Sequence, residues 1–337
     1  MIKLALLSPV AWRTPPRHYG PWEQVVANIA EGVADLGVDV TLFATGDSLT
    51  SGKLEYICEK GYEEDSGSDA KVVECMHISH LMEQAGKYDL IHNNFDFLPL
   101  TYSRLVNTPM VTTIHGFSST RIIPVYQRYN DRVHYVSISN SDRSSALRYI
   151  ATVYNGIDPR QFTLREDPDD YLLFFGRIHN DKGAYEAIQV ALRSGRRLLI
   201  AGIIQDQSYF LEKVKPYIDD DQIKFLGSAG PEKRDELLGG ACALLHTVNF
   251  DEPFGLSVAE AMFCGTPVIA FNRGSMPELI EDGRTGFLAA TVGEAAEYLH
   301  QVSSISRPYC RERAEKHFSL QKMATDYLGV YKKILDT

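Results

Sequence analysis

Residues 170–203, DYLLFFGRIHNDKGAYEAIQVALRSGRRLLIAGI, place an apolar run, a polar turn, a helical pattern and a second apolar run in succession. DYLLFFGRI (170–178) and RRLLIAGI (196–203) have the length and composition of buried strands, and GAYEAIQVALRSG (183–195) reads as the helix between them, ended by Gly195. A strand, a crossover helix and a second strand make a βαβ unit, and its strands lie parallel.

The same alternation extends in both directions. Downstream, IKFLGSA (223–229), CALLHTV (242–248) and PVIAFN (267–272) read as further strands. Near the start, IKLALLSP (2–9) is followed by a helix over PWEQVVANIAEGVADLG (21–37), with Pro21 near its start and Gly37 at its end. Val25, Val26, Ile29, Val33 and Leu36 form its apolar face. VDVTLFATG (38–46) completes that unit, and YDLIHNN, PMVTTIHGF and VHYVSISN supply more strands. TVYNGIDPRQF (152–162) carries the Asn-Gly and Asp-Pro punctuation of a connector. Two parallel-sheet α/β domains joined near residue 155 are therefore expected, facing across a cleft onto which the carboxyl ends of the strands open.

The chain's 337 residues suit two domains of ordinary size, and 44% hydrophobic with 23% charged residues is a globular composition. A net charge of −10 disfavours general binding to nucleic acid or anionic lipid. Cys58, Cys75, Cys242, Cys264 and Cys310 are scattered without a CxxC pair, as in a reducing compartment. The apolar start MIKLALLSPVAW is short and meets RTPPRH, so neither a signal peptide nor a membrane span is expected, and the protein is read as cytoplasmic.

Two segments carry chemistry. FGRIHNDKG (175–183) sets Arg177 and Lys182 after a strand and before a helix, where two cations and backbone N–H groups suit a diphosphate. FDEPFGLSVAE (250–260) sets Glu252 before a second helix and Glu260 two turns into it. Helix-end electrostatics alone would account for such acids, so the pair needs the rest of the chain to give it meaning.

That context resembles a retaining glycosyltransferase of family 4, with its two-domain GT-B fold. The family carries two glutamates separated by seven residues, as Glu252 and Glu260 are, within EPFGLSVAEAMFCGTPVIAFNRGSMPELIEDGRTGFL, whose turn, helix, GTPVIA strand and DGRTGFL hairpin occur in family order. FGRIHNDKG is similar to the family's phosphate-binding segment, VYNGIDPRQF to its interdomain connector, YGPWEQVVANIAEGVADLGVDVTLF to its Gly-rich loop and first helix, and TTIHGF to the strand bearing its active-site histidine. Here Gly20 is followed by Pro21, which has no N–H to give a phosphate.

The resemblance implies an N-terminal acceptor domain over 1–153, with a C-terminal helix of about 318–337 packed back on it, and a donor domain over 154–317. It implies that Arg177 and Lys182 neutralise the diphosphate of a nucleotide sugar as the glycosidic bond breaks. Glu252 and the backbone N–H groups of Phe254, Gly255 and Leu256 would hold donor sugar hydroxyls, and Glu260 the two ribose hydroxyls. His115 would contact the transferred sugar, Gly20 would approach the phosphates, and Leu226 and Gly227 would border the base. His18, Tyr19 and Trp22 would shape an acceptor pocket. The donor would be a UDP-, GDP- or other nucleotide sugar, the acceptor a sugar or small molecule. No cofactor or metal is required on this reading, the Asp-rich turns at 167–170 and 219–221 being solvated. The competing readings are a nucleotide-sugar 2-epimerase of the same fold, which needs an acid and a base around the sugar C2, and a non-catalytic sugar- or nucleotide-binding protein. The absence of GxGxxG after an early strand and of GxxxxGK[ST] disfavours nicotinamide enzymes and P-loop NTPases.

Overall fold

The computed structural model describes residues 1–17, 20–117 and 119–336. His18 and Tyr19, read from sequence as part of an acceptor pocket, lie outside the described residues. The chain forms two compact units. One is Met1–Gly156 joined by the residues from Leu320 onward, and the other is Ile157–Ser319.

The first unit is built on a seven-stranded sheet. Its strands are β1 (Lys3–Leu7), β2 (Asp39–Phe43), β3 (Lys53–Glu55), β4 (Leu90–Asn93), β5 (Met110–Ile114), β6 (Val133–Ser137) and β7 (Tyr149–Thr152), in spatial order β3-β2-β1-β4-β5-β6-β7. Every pairing is parallel. The second unit has a six-stranded, equally parallel sheet of β8 (Leu172–Phe175), β9 (Leu198–Ala201), β10 (Ile223–Gly227), β11 (Ala243–His246), β12 (Val268–Phe271) and β13 (Gly286–Ala289), in order β10-β9-β8-β11-β12-β13. Helices α1 (Pro21–Asp35), α2 (Ala70–Met82) and α3 (Ile123–Arg128) belong to the first unit. The second contains α4 (Ala184–Ser194), α5 (Gln207–Tyr209), α6 (Pro231–Gly240), α7 (Leu256–Phe263), α8 (Met276–Leu279), α9 (Val292–Tyr298) and α10 (Arg307–Phe318). The chain ends in α11 (Leu320–Leu335), back in the first unit. No helix among the described residues is long and apolar enough to cross a membrane.

In each sheet the strand order reverses direction once, between β1 and β4 and between β8 and β11. Successive crossovers leave opposite faces at such a point, so the loops at the carboxyl ends separate and open a crevice. These two reversals fix where the carboxyl-end loops of each unit separate.

Two local readings change. Val25, Val26, Ile29 and Val33 are buried on α1, but Leu36 caps the helix and is 44% exposed, because the helix ends before its turn comes round to the core. DGRTGFL forms no hairpin. Its turn, with Gly283 N donating to Gly286 O at 2.8 Å, leads into β13, which pairs parallel with β12, and a parallel partner is not reached through a tight turn.

α11 is fastened to the first unit by shape and by hydrogen bonds. A Cβ on Gly32 of α1 would lie 2.8 Å from both Ala324 and Leu320, so glycine permits the close approach of the two helices. Beneath them, His92 of β4 bonds Tyr331 OH through Nδ1 and Thr113 Oγ1 through Nε2, each at 2.8 Å, and Thr113 Oγ1 meets Tyr327 OH at 2.8 Å. All four groups are buried, and burial lowers the His92 pKa to about 3, so its ring is neutral. Tyr331→Phe would strip one ring nitrogen of its partner without changing the packing. The expected loss is about 1–3 kcal/mol in urea unfolding, and an unchanged midpoint would contradict this account of how α11 is held.

Candidate active site

In the second unit, the loops after β8 and β11 meet at the strand-order reversal. The first runs through Arg177 and a 3₁₀ turn, Asn180–Lys182, to Gly183, and the second through Thr247 to Gly255 at the start of α7. Thr247 Oγ1 donates to Gly183 O at 2.7 Å, Asn249 N to Asp181 O at 2.7 Å, and Asn249 Nδ2 to Asn180 O at 3.0 Å. Gly183 has φ of 74°, and a Cβ there would stand 1.8 Å from Thr247 O, so only glycine allows this contact.

That contact brings two of the residues singled out from sequence into direct pairing. Lys182 Nζ donates to Glu252 Oε2 at 2.5 Å, with side chains 16% and 12% exposed, and Nζ lies 4.8 Å above the Phe250 ring. Glu252 is held through its backbone as well: Ser275 N donates to its carbonyl at 3.0 Å. Arg177, from the same loop as Lys182, is bonded by Nη1 to Gln205 Oε1 beyond β9. His246, at the end of β11, is buried with Nε2 only 3.7 Å from Glu252 Oε2, but that nitrogen has no hydrogen-bond partner among the described residues. Burial lowers its pKa to about 4, against the opposing pull of Glu252.

Glu260 projects from α7, is 8% exposed, and is paired by Oε1 to Arg234 Nη1 of α6 at 3.1 Å. Burial raises its pKa and the arginine opposes that rise. The Arg234 guanidinium also lies 5.2 Å over the Phe162 ring. Leu226 and Gly227 end β10, one turn of chain before α6 and Arg234. Phe254 turns its ring inward against Phe318 at 5.9 Å, and Gly255, with φ of 92°, starts α7 at Leu256. The two site acids thus each hold a cation delivered by a different loop or helix.

Gly20 and His115 lie in the first unit. Gly20 caps α1, and a Cβ there would be 2.9 Å from Pro16 Cβ and 3.0 Å from Glu23 Oε2. His115 follows β5, stacks on Trp22 at 5.8 Å and bonds Asn94 Oδ1 through Nε2 at 2.9 Å. Elsewhere, among the described residues no three His, Cys, Asp or Glu converge closely enough to hold a metal ion. In the Asp-rich turns, Asp169 and Asp170 pair with Arg165 and Arg196, both at 2.9 Å, and Asp219 accepts from the backbone of Asp221 and Ile223.

Two family descriptions match consecutive parts of the chain: Glycosyltransferase Family 4 over residues 22–161, and Glycosyl transferases group 1 over 158–317. The chain belongs to family 4 of the glycosyltransferases. This glycosyltransferase is 24% identical to the glycogen synthase of Mycobacterium tuberculosis, over 96% of its own length and 93% of the relative's. It is similar in structure to sucrose-phosphate synthase from Thermosynechococcus elongatus, with a TM-score of 0.78 at 19% identity over 100% of both chains. It is also similar to HepE from Anabaena, solved in complex with UDP and glucose, with a TM-score of 0.75 at 20% identity over 98% of this chain and 100% of that one. The two all-parallel sheets and these neighbours identify the GT-B fold.

Glu23, unremarked in the sequence, is 3% exposed beside Gly20, and burial raises its pKa to about 7 against hydrogen bonds from its own backbone N–H and that of Trp12. A carboxyl whose pKa is raised on folding stabilises the fold below its unfolded pKa, and that contribution is lost as pH rises through the folded value. Glu23→Gln should therefore gain stability relative to the native protein by about 2 kcal/mol between about pH 5.5 and about pH 8.5. Urea unfolding at the two pH values checks this, and a difference independent of pH would show that Glu23 ionises freely.

Proposed function

We propose that this glycosyltransferase moves a hexose from a nucleoside diphosphate sugar to a hydroxyl of a sugar or small-molecule acceptor, with retention at the anomeric carbon and without a required metal. The observation that carries the reading is the Lys182–Glu252 pair on two interlocked loops at a strand-order reversal, with Arg177 on the same loop as the lysine.

Arg177 and Lys182 bind the diphosphate and stabilise the charge that develops on it as the anomeric C–O bond breaks, the leaving phosphate keeping the bonding pair. The acceptor hydroxyl attacks from the same face and its proton passes to the departing phosphate oxygen. Glu252 and the backbone N–H groups of Phe254, Gly255 and Leu256 hold sugar hydroxyls, the carboxylate accepting and the amides donating. Glu260 holds the ribose, with Arg234 on its other side opposing the rise that burial imposes on the carboxyl pKa, and Leu226 and Gly227 border the base. UDP in the HepE structure supports a donor of this class. The two cations supply the neutralisation a divalent ion would otherwise provide, and the carboxylates of Asp169 and Asp170 are already engaged by arginines. The unpaired state of all five cysteines supports a reducing compartment such as the cytoplasm.

The two glutamates should separate on substitution. Glu260→Gln should weaken binding of free UDP or GDP by about 1.5–3 kcal/mol, because the ribose is present in nucleotide and donor alike. Glu252→Gln should leave that affinity unchanged or raise it, since the carboxylate competes for Lys182, and should lower turnover of the sugar nucleotide. Calorimetric titration beside rate measurements decides. Equal loss of nucleotide affinity in both variants, or full turnover in Glu252→Gln, would overturn the assignment.

A further inference from the structure

We propose that Asn94 is a positioning residue that holds His115 as the neutral tautomer protonated at Nε2, so that the ring presents a bare Nδ1 to a hydroxyl of the carbohydrate substrate. The substrate class rests on the transferase reading above. The tautomer rests on the first unit alone.

β4 delivers Asn94 and β5 delivers His115 to adjacent places at the carboxyl edge of the first sheet, beside its strand-order reversal. The backbone N–H of Asn94 still donates to Leu7 O at 3.0 Å, so the residue is anchored by the sheet and its side chain is fully buried. Its Oδ1 lies 2.9 Å from His115 Nε2. An amide oxygen only accepts, so Nε2 carries the proton, and in a neutral imidazole the other nitrogen then holds a lone pair. Burial lowers the His115 pKa to about 4, which keeps the ring in that form at neutral pH. Trp22, from the first turn of α1, stacks on the ring with an interplanar angle of 29° and restricts its rotation.

Two contrasts separate this histidine from a structural one. His92, one strand away, has both ring nitrogens bonded to protein hydroxyls. His115 has one nitrogen bonded, and Nδ1 has no hydrogen-bond partner among the described residues. Asn94 is costly for stability as well: its Nδ2 is buried and unpartnered, a penalty that an apolar side chain of similar size would avoid. Orienting a ring whose acceptor edge is uncommitted accounts for both features.

The test is a long-range ¹H–¹⁵N spectrum of histidine-labelled protein without substrate, with His115 assigned by the resonances lost in His115→Gln. The proposal expects a neutral ring protonated at Nε2 at neutral pH. A proton on Nδ1, or on both nitrogens, overturns it. In Asn94→Leu the two tautomers should mix, and turnover of UDP-glucose, UDP-galactose, ADP-glucose or GDP-mannose, whichever the native protein uses, should fall about tenfold in kcat, the effect of one lost hydrogen bond, while thermal stability holds or rises. Native turnover in a folded Asn94→Leu overturns the positioning role. Failure of the native protein to use any of these donors would overturn the transferase reading and with it the hydroxyl, whereas the ligand-free spectrum judges the tautomer independently.

Discussion

The contact between Lys182 and Glu252 is the constraint around which the second unit is arranged. Oppositely charged groups so little exposed are stable only together, and leaving either one unpaired would cost about 3–5 kcal/mol. Their meeting requires the loop after β8 to touch the loop after β11, and that requires a residue without a Cβ at position 183. β8 and β11 are neighbours in the sheet although more than two crossovers separate them in the chain, because the strand order turns back between them. Charge, backbone conformation and topology thus depend on one another at a single place.

On the proposed function, the same place would take up anions and hydroxyls while its own charges stay balanced. Lys182 is neutralised by Glu252 and Arg234 by Glu260, so neither cation is left without a counter-charge. A bound diphosphate would offer Lys182 a stronger charge-assisted partner, and the carboxylate it released could then accept from sugar hydroxyls. His246, buried 3.7 Å from the same carboxylate with an idle nitrogen, stands where a second donor to Glu252 would be needed once the lysine turns away.

Much of this fold was legible because buried parallel strands are written as short unbroken apolar runs, and DYLLFFGRI, RRLLIAGI and PVIAFN can hardly be anything else. The strands that escaped notice, β3 and β7, are edge strands with one neighbour each, and their mixed composition records that weaker burial. Arg177, Lys182, Glu252 and Glu260 stood out because their spacing around glycines and helix starts resembles a known pattern. Arg234, His246, Glu23 and Asn94 did not. Arg234 reads as one more charge in PEKRDELL, and its role depends on a distance of 3.1 Å to a residue 26 positions away. Asn94 and Glu23 matter through burial, and nothing local distinguishes a buried polar residue from a solvated one.

The central claim is that Lys182 and Glu252, paired in this structure, part when a nucleotide binds. A crystal structure with UDP bound measures this directly through the separation of Lys182 Nζ and Glu252 Oε2, which is 2.5 Å here. The account predicts that Nζ lies against a phosphate oxygen and the carboxylate beyond ion-pair distance from it. UDP bound with the pair intact and the phosphates elsewhere would contradict it.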